Sequence, residues 1–357
     1  MKKLDWNKIH ADFKLNGVSI GEDSISEVAY SFIKEGEDFE KEIGDFLQCW
    51  IDNKETIEVR TSGSTGIPKL IVLKKEHMVN SALATGDYFN LKPKNTALMC
   101  MSASYIAGKM MLVRAMVLGL QITIIAPSST PLKNVVKQFD FCAMVPLQLQ
   151  NSINKLHTLK KVIIGGAPMS ASLKEKVQGI KTEVFETYGM TETITHIALK
   201  KINNNTEKTF SILPSIKITK DNRDCLVIDA PKITNATIYT NDVVEIISET
   251  EFNWLGRVDN VINSGGVKLH PEQIETKLST IVKNRFFVAG VPDETLGQKL
   301  LLVLETDKQN PSILEEIKEL KTITKYQIPK GVYTAQNFVY TPNGKINRKA
   351  TLRALNL

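Results

Sequence analysis

The stretch Arg60-Thr61-Ser62-Gly63-Ser64-Thr65-Gly66-Ile67-Pro68-Lys69 decides how this chain reads, because it sets hydroxyls, two glycines and a lysine between two apolar segments. Its flanks, Thr56-Ile57-Glu58-Val59 and Leu70-Ile71-Val72-Leu73, are short β-branched runs that predict strands, so the glycines fall at a strand-to-strand turn. Glycine lets backbone N–H groups approach phosphate oxygens, hydroxyls add donors, and Lys69 adds a mobile positive charge. The spacing departs from the P-loop, in which Gly-x-x-x-x-Gly-Lys-Ser/Thr opens a helix. Here the lysine stands three residues after the second glycine and Leu70 follows it. Alone, the decapeptide reads either as a phosphate cradle or as a solvated hairpin, and other motifs decide.

The chain has 357 residues, enough for a substantial core and about two domains. Apolar residues make up 42% and charged residues 24%, as in an ordinary soluble globular protein. The net charge of +6 is spread out, with Lys-Lys pairs at 74–75, 160–161 and 200–201 but no basic block. No nucleic-acid partner is expected, whereas anionic small substrates fit. Cys49, Cys100, Cys142 and Cys225 are far apart, which argues against a zinc or redox pair and fits a reducing, cytoplasmic setting. Asp5, Asn7, Lys8 and Asp12 near the start leave no apolar leader, so no signal peptide is expected. Lys109 and Arg114 interrupt the apolar region 97–126, and Ala115 to Ala126 is too short to span a bilayer, so no membrane insertion is expected either.

Strand and helix signals alternate after the opening loop. Helices are predicted near 76–89, 107–118, 132–137, after Pro146 and at 170–177; strands are predicted at 96–101, 121–126, 141–145, 161–164 and 183–187. That alternation argues for a parallel α/β sheet. From Asn203 short strands at 217–220, 225–229, 236–240 and 243–247 suggest a small antiparallel or barrel-like section. Beyond Gly256-Arg257-Val258-Asp259, about a hundred residues carry their own apolar runs. These include a helix at 271–278, strands near 285–291 and 300–305, a helix at 312–320 and a hairpin at Asn343-Gly344. The expected fold class is α/β: a large N-terminal domain, 1–256, with parallel sheets and a small barrel-like β section, followed by a small mobile α+β domain, 257–357.

Tyr188-Gly189-Met190-Thr191-Glu192 follows a predicted strand, at the carboxyl edge where open α/β sheets bind ligands. The ring of Tyr188 can stack on adenine and Glu192 can hold Mg²⁺ against phosphate oxygens, although an ordinary strand-end turn reads the same way in isolation. Asp242 and Arg257 offer an acceptor and a donor suited to ribose hydroxyls, and each taken singly reads equally as a surface charge.

These motifs together resemble the adenylate-forming enzymes, which include acyl-CoA synthetases, nonribosomal-peptide adenylation domains and luciferase. The match rests on Thr61 to Lys69, Gly165-Gly166-Ala167-Pro168, Tyr188 to Glu192, Asp242, Gly256 to Asp259 with Ser264-Gly265-Gly266, and Pro342-Asn343-Gly344-Lys345, all in the family's order. The resemblance implies a two-step reaction. A carboxylate attacks the α-phosphate of ATP to give acyl-AMP and pyrophosphate, and a thiol, usually that of CoA, then displaces AMP.

It further implies roles for residues: Thr61, Ser62, Gly63, Ser64, Thr65, Gly66 and Lys69 on the phosphates; Gly165, Gly166, Ala167, Pro168, Tyr188, Gly189, Asp242 and Arg257 on adenosine; Thr191 and Glu192, with Mg²⁺, at the reacting phosphate; Lys345 as the catalytic lysine; Asp259 as the hinge; and Ser264, Gly265 and Gly266 on the CoA side. ATP, Mg²⁺, CoA and a small carboxylic acid are the implied cofactors and partners.

Compactness, the segment Ser102 to Lys109, and Thr193-Ile194-Thr195-His196 look most like o-succinylbenzoate:CoA ligases of menaquinone synthesis. That acid has two carboxylates, so one should find a basic partner. Lys109, Arg114 and His196 are the candidates, with Tyr105 at the acyl pocket, and each reads equally as a snorkelling or core residue. Tyr105 stands where many relatives carry histidine, and Asn241 replaces the glycine common before the ribose aspartate. Loading of a carrier protein, or a silent nucleotide-binding module, are the competing readings.

Overall fold

Strand Phe139–Met144 reads Phe-Asp-Phe-Cys-Ala-Met, apolar on both sides of the backbone, and such a run needs cover on both faces. The computed structural model, which describes residues 6, 8–60, 69–204, 208–308, 311–340 and 346–357, supplies that cover. Phe141 and Ala143 face a core formed with helices α1 (Ile25–Glu35), α2 (Asp38–Ile51), α3 (Lys75–Phe89) and α4 (Ile106–Leu118). Phe139, Cys142 and Met144 face a second core with α5 (Pro146–Ser152) and α6 (Ala171–Lys176). The neighbouring strands alternate in the same way, with Val162, Ile164 and Val184 on one face and Ile163 and Phe185 on the other.

Among the described residues the main sheet has 13 strands. Its parallel half runs through Gln121–Ile124, Thr96–Met99, Phe139–Met144, Leu159–Ile164 and Glu183–Gly189. Antiparallel pairing then begins at His196–Lys201 and continues through Phe210–Ile212, Glu251–Arg257, Ile238–Ser248, Cys225–Asp229 and Lys217–Lys220. The section expected to be antiparallel or barrel-like is an antiparallel continuation of the parallel sheet. The strands expected at 236–240 and 243–247 are one strand, Ile238–Ser248, in which Asp242 pairs with Arg257 across the ladder. The helix expected at 132–137 is a turn: only Leu132 of this short segment is fully buried, too little apolar face to hold a helix. The opening loop is flanked as expected by an antiparallel pair, Thr56–Arg60 with Leu70–Lys74.

A second sheet comprises Ile262–Ser264, Val267–Leu269, Phe286–Asp293, Gly297–Glu305 and Gly331–Ala335. Val288, Leu300, Leu302 and Leu304 pack on α7 (Pro271–Leu278) and α8 (Ile313–Lys318), while Phe287, Ala289 and Val303 pack toward α9 (Arg348–Ala354). Among the described residues no helix is long and apolar enough to cross a membrane.

Candidate active site

Parallel strands bring their carboxyl ends to one edge, and two adjacent ones deliver the Gly165–Pro168 and Tyr188–Glu192 motifs there. Strand Leu159–Ile164 ends in Gly165 to Pro168, and its neighbour Glu183–Gly189 ends in the 3₁₀ turn Thr191–Thr193. Gly166 takes φ +83°, a left-handed conformation that suits glycine, and Gly166, Ala167 and Pro168 are exposed. The loop is tied down behind them: the Met169 N–H donates to Glu186 Oε1 at 2.8 Å, and Lys174 and Lys200 pair with Glu186 Oε2 at 2.8 and 3.5 Å. Burial works against the Glu186 charge, but the two lysines outweigh it and hold its pKa below the usual range.

Glu192 is exposed on its turn, beside strand Leu70–Lys74, which pairs with Thr56–Arg60. A single exposed carboxylate fits a Mg²⁺ held mostly by substrate phosphates, as that ion prefers. Thr191 is half-buried, and the turn is stitched by Thr193, whose hydroxyl engages the Met190 and Thr195 carbonyls. Ile194 then takes φ +64° and ψ −61°, with Thr195 N–H donating to Thr193 O at 2.7 Å. That is a γ-turn a β-branched residue adopts only when its surroundings force it.

What the γ-turn positions is Thr195 and His196. Arg114, from the middle of α4, is fully buried; its Nη2 donates to Thr195 Oγ1 at 3.2 Å, its Nε to Thr85 Oγ1 at 3.3 Å, and its Nη1 meets the Met111 sulfur. No carboxylate pairs with it among the described residues, and burial pushes its pKa down to about 10. His196 lies between the same hydroxyls, Nε2 at 3.4 Å from Thr85 Oγ1 and Nδ1 at 3.3 Å from Thr195 Oγ1. Because the Thr85 hydroxyl donates to Ser81 O at 2.9 Å, His196 must donate from Nε2 and accept at Nδ1, which fixes the neutral tautomer. Burial and the Arg114 charge drive its pKa well below the usual histidine value. His196 also lines a cleft with Asn80, Ser81, Ala84, Pro214 and Lys232.

Lys109 does not join this cluster. Its ammonium caps Ala103 O and lies 5.3 Å over the Phe46 ring. It shares no partner with Arg114 or His196, because it sits more than a helical turn earlier on α4 and points toward α2. Tyr105, just ahead of α4, is exposed.

Asp242 is buried at the centre of the ribose candidates. Its Oδ2 accepts from the Tyr188 hydroxyl at 2.8 Å, its Oδ1 accepts from the Trp254 indole at 3.1 Å, and Arg257 Nη1 stands 3.8 Å away. Tyr188 packs edge-on against Phe210 and Phe252, and burial followed by the Asp242 charge pushes its phenol pKa well up. Sequence reading missed Trp254, and the register shows why. Asp242 pairs with Arg257 and Val243 with Gly256, but Val244 pairs with Trp254, so Leu255 is an extra bulged residue. Without the bulge, period-two alternation would put Trp254 on the face opposite Asp242.

Asp259, in the turn after this strand, accepts from Arg257 Nη2 at 3.0 Å and from Asn241 Nδ2 at 3.5 Å. Gly265 and Gly266 both have positive φ, +57° and +78°, which suits a tight hairpin between Ile262–Ser264 and Val267–Leu269. Ser264 ends the first of these strands. Lys69 is exposed at the start of Leu70–Lys74. Thr61, Ser62, Gly63, Ser64, Thr65 and Gly66 lie outside the described residues, as does Lys345 with Pro342, Asn343 and Gly344. The chain on either side of that last segment is anchored, since Tyr340 bridges to Ile346 and its hydroxyl donates to Glu305 at 2.7 Å.

This arrangement defines an adenylate-forming protein, and comparison agrees. The family described as AMP-binding enzyme matches residues 60–232. An acyl-CoA synthetase (AMP-forming)/AMP-acid ligase II-like protein from Dyadobacter fermentans is 36% identical over 92% of this chain and 98% of its own, with a TM-score of 0.61. The chain therefore belongs to the adenylate-forming superfamily. A 2-succinylbenzoate–CoA ligase of Staphylococcus aureus is 26% identical over 329 residues, covering 82% of this chain; the chain spans 66% of that relative. The fold is also that of an O-succinylbenzoate coenzyme A synthetase from Bacillus subtilis in complex with ATP and magnesium ion, at 18% identity, TM-score 0.70, and coverage of 82% and 69%.

Proposed function

We propose that this protein is an ATP-dependent acid:CoA ligase that works through an acyl adenylate, with o-succinylbenzoate as its preferred acid. The carboxylate oxygen attacks the α-phosphorus of ATP, the bond to the β-phosphate oxygen breaks, and pyrophosphate leaves. The CoA thiol, losing its proton, then attacks the acyl carbon and AMP leaves with the bonding pair.

One observation carries the choice of acid. Arg114 is a fully buried guanidinium whose partners are two hydroxyls and a thioether. Leaving a buried cation without a counter-charge costs several kcal/mol, roughly, and a bidentate carboxylate would supply it. A dicarboxylic acid has one carboxylate to react and one to spare. The ligase of Staphylococcus aureus named for 2-succinylbenzoate supports the same acid.

In this reading Asp242 and Arg257 hold the ribose, the 165–168 loop and Tyr188 hold adenine, and the 61–66 loop with Lys69 holds the phosphates. A Mg²⁺ at Glu192 would screen the negative charge of the phosphates during attack. The chain divides into 1–256 and 257–357, with rotation near Asp259 exchanging Lys345 for the Ser264-Gly265-Gly266 hairpin between the two steps. Acid-dependent ATP–pyrophosphate exchange over a panel of aromatic and aliphatic acids, followed by CoA, tests the reading. Exchange greatest with o-succinylbenzoate and conversion to its CoA thioester is the expected result; preference for a monocarboxylic acid overturns the substrate, and exchange without thioester points to a carrier protein.

A further inference from the structure

We propose that Trp254 is a positioning residue that couples ribose binding at Asp242 to the seating of α7, by offering its indole N–H to one and its main-chain carbonyl to the other. The inference rests on reading Asp242 as the ribose acceptor. The indole Nε1 donates to Asp242 Oδ1 at 3.1 Å, and Gln273 Nε2, from α7, donates to Trp254 O at 3.0 Å. One residue thus joins the carboxylate of the large sheet to the first helix after the 258–260 turn.

Three features make this a built connection. The bulge at Leu255 is what turns Trp254 onto the Asp242 face at all. Gly256, next in the chain, takes φ +140° and leaves room for Glu272, the α7 residue beside Gln273; a Cβ there would come within 2.2 Å of Glu272 Oε2. Glu272 in turn accepts from Asn260 Nδ2 at 2.6 Å, fastening α7 to the turn itself.

Asp242 has two oxygens and both are oriented by donors, Tyr188 on Oδ2 and Trp254 on Oδ1. Taking away the indole N–H frees the carboxylate to rotate, so nucleotide affinity falls. Taking away the Gln273 contact loosens the strand that carries the indole, so nucleotide affinity falls although Gln273 touches no nucleotide. Linkage makes the effect reciprocal: bound nucleotide steadies α7.

The test is calorimetric titration with AMP alone, without acid or CoA, on the full chain and on Trp254→Phe, Gln273→Met and the double variant, with far-UV circular dichroism to confirm folding. Trp254→Phe keeps an aromatic ring and removes only the donor, and should weaken AMP about tenfold, the low end for a hydrogen bond to a charged group. Gln273→Met should weaken it by about threefold, and the double variant by less than the product of the two, as residues acting through one path do. Unchanged affinity in Trp254→Phe, or a full product in the double variant, overturns the coupling while leaving the ligase reading intact. If Trp254→Phe does not fold, unchanged affinity in Gln273→Met overturns it. Failure of the unsubstituted protein to bind AMP overturns both.

Discussion

At the scale of single residues, Arg114 and His196 are a pair whose meaning lies in what they lack. An arginine inside an apolar helix usually snorkels, yet this one is buried at mid-helix with no acid to meet it among the described residues. Replacing it with methionine should raise the KM for o-succinylbenzoate by at least tenfold, the worth of a charge-assisted bond, while the KM for ATP changes by less than twofold. Equal changes in both would make Arg114 a structural residue only; initial-rate kinetics with each substrate varied separately decide it.

His196 gives a pH signature. Its folded pKa lies well below the unfolded value of about 6.5, so below that pH the unfolded chain takes up a proton that the folded protein refuses. Stability should fall as pH drops through 6.5, by up to about 1.4 kcal/mol per pH unit for one proton. His77 and His270 are also shifted down, so His196→Gln should reduce the slope of urea midpoint against pH between 5 and 7 without abolishing it.

At the scale of elements, strand Glu251–Arg257 shows how one irregularity can organise a site. The bulge at Leu255 lets Trp254 and Arg257, three residues apart, face the same carboxylate. Gly256 between them holds a backbone conformation that side chains rarely adopt. Gly256→Ala should lower stability by about 1–3 kcal/mol, read as a lower urea midpoint, from backbone strain together with the clash of the new Cβ against Glu272; an unchanged midpoint would mean that the strand and Glu272 relax. Other elements were readable because their apolar residues show the period. Strands 217–220 and 225–229 and helix 271–278 fall where their apolar spacing puts them. The bulge was not readable, since it is an offset between two strands and leaves no mark in either one. The turn at 132–137 reads as a helix in the sequence for the related reason that three apolar positions in six residues fit several geometries, and only one of them, Leu132, is buried.

At the scale of the whole molecule, the two sheets have separate cores, which is what a protein needs if one part is to swing against another. Lys345 and the Ser264-Gly265-Gly266 hairpin both belong to the C-terminal part, and in the proposed cycle only one of them serves each step. Lys345→Ala should therefore lower acyl-AMP formation by roughly 10²- to 10³-fold while conversion of supplied acyl-AMP to thioester is retained. Measuring the two half-reactions separately checks this; equal loss in both would place the lysine in a shared structural role.

The family, the alternating α/β plan and the order of the motifs at 61–69, 165–168, 188–192, 242, 256–259 and 342–345 are legible in the sequence, because those are local patterns of residue type and spacing. The tertiary contacts show that Arg114 is buried without a counter-charge among the described residues, that Lys109 turns away toward Ala103, that His196 is held neutral, and that Trp254 reaches Asp242. Burial, partner and register are relations between segments far apart in the chain, and no single segment carries them.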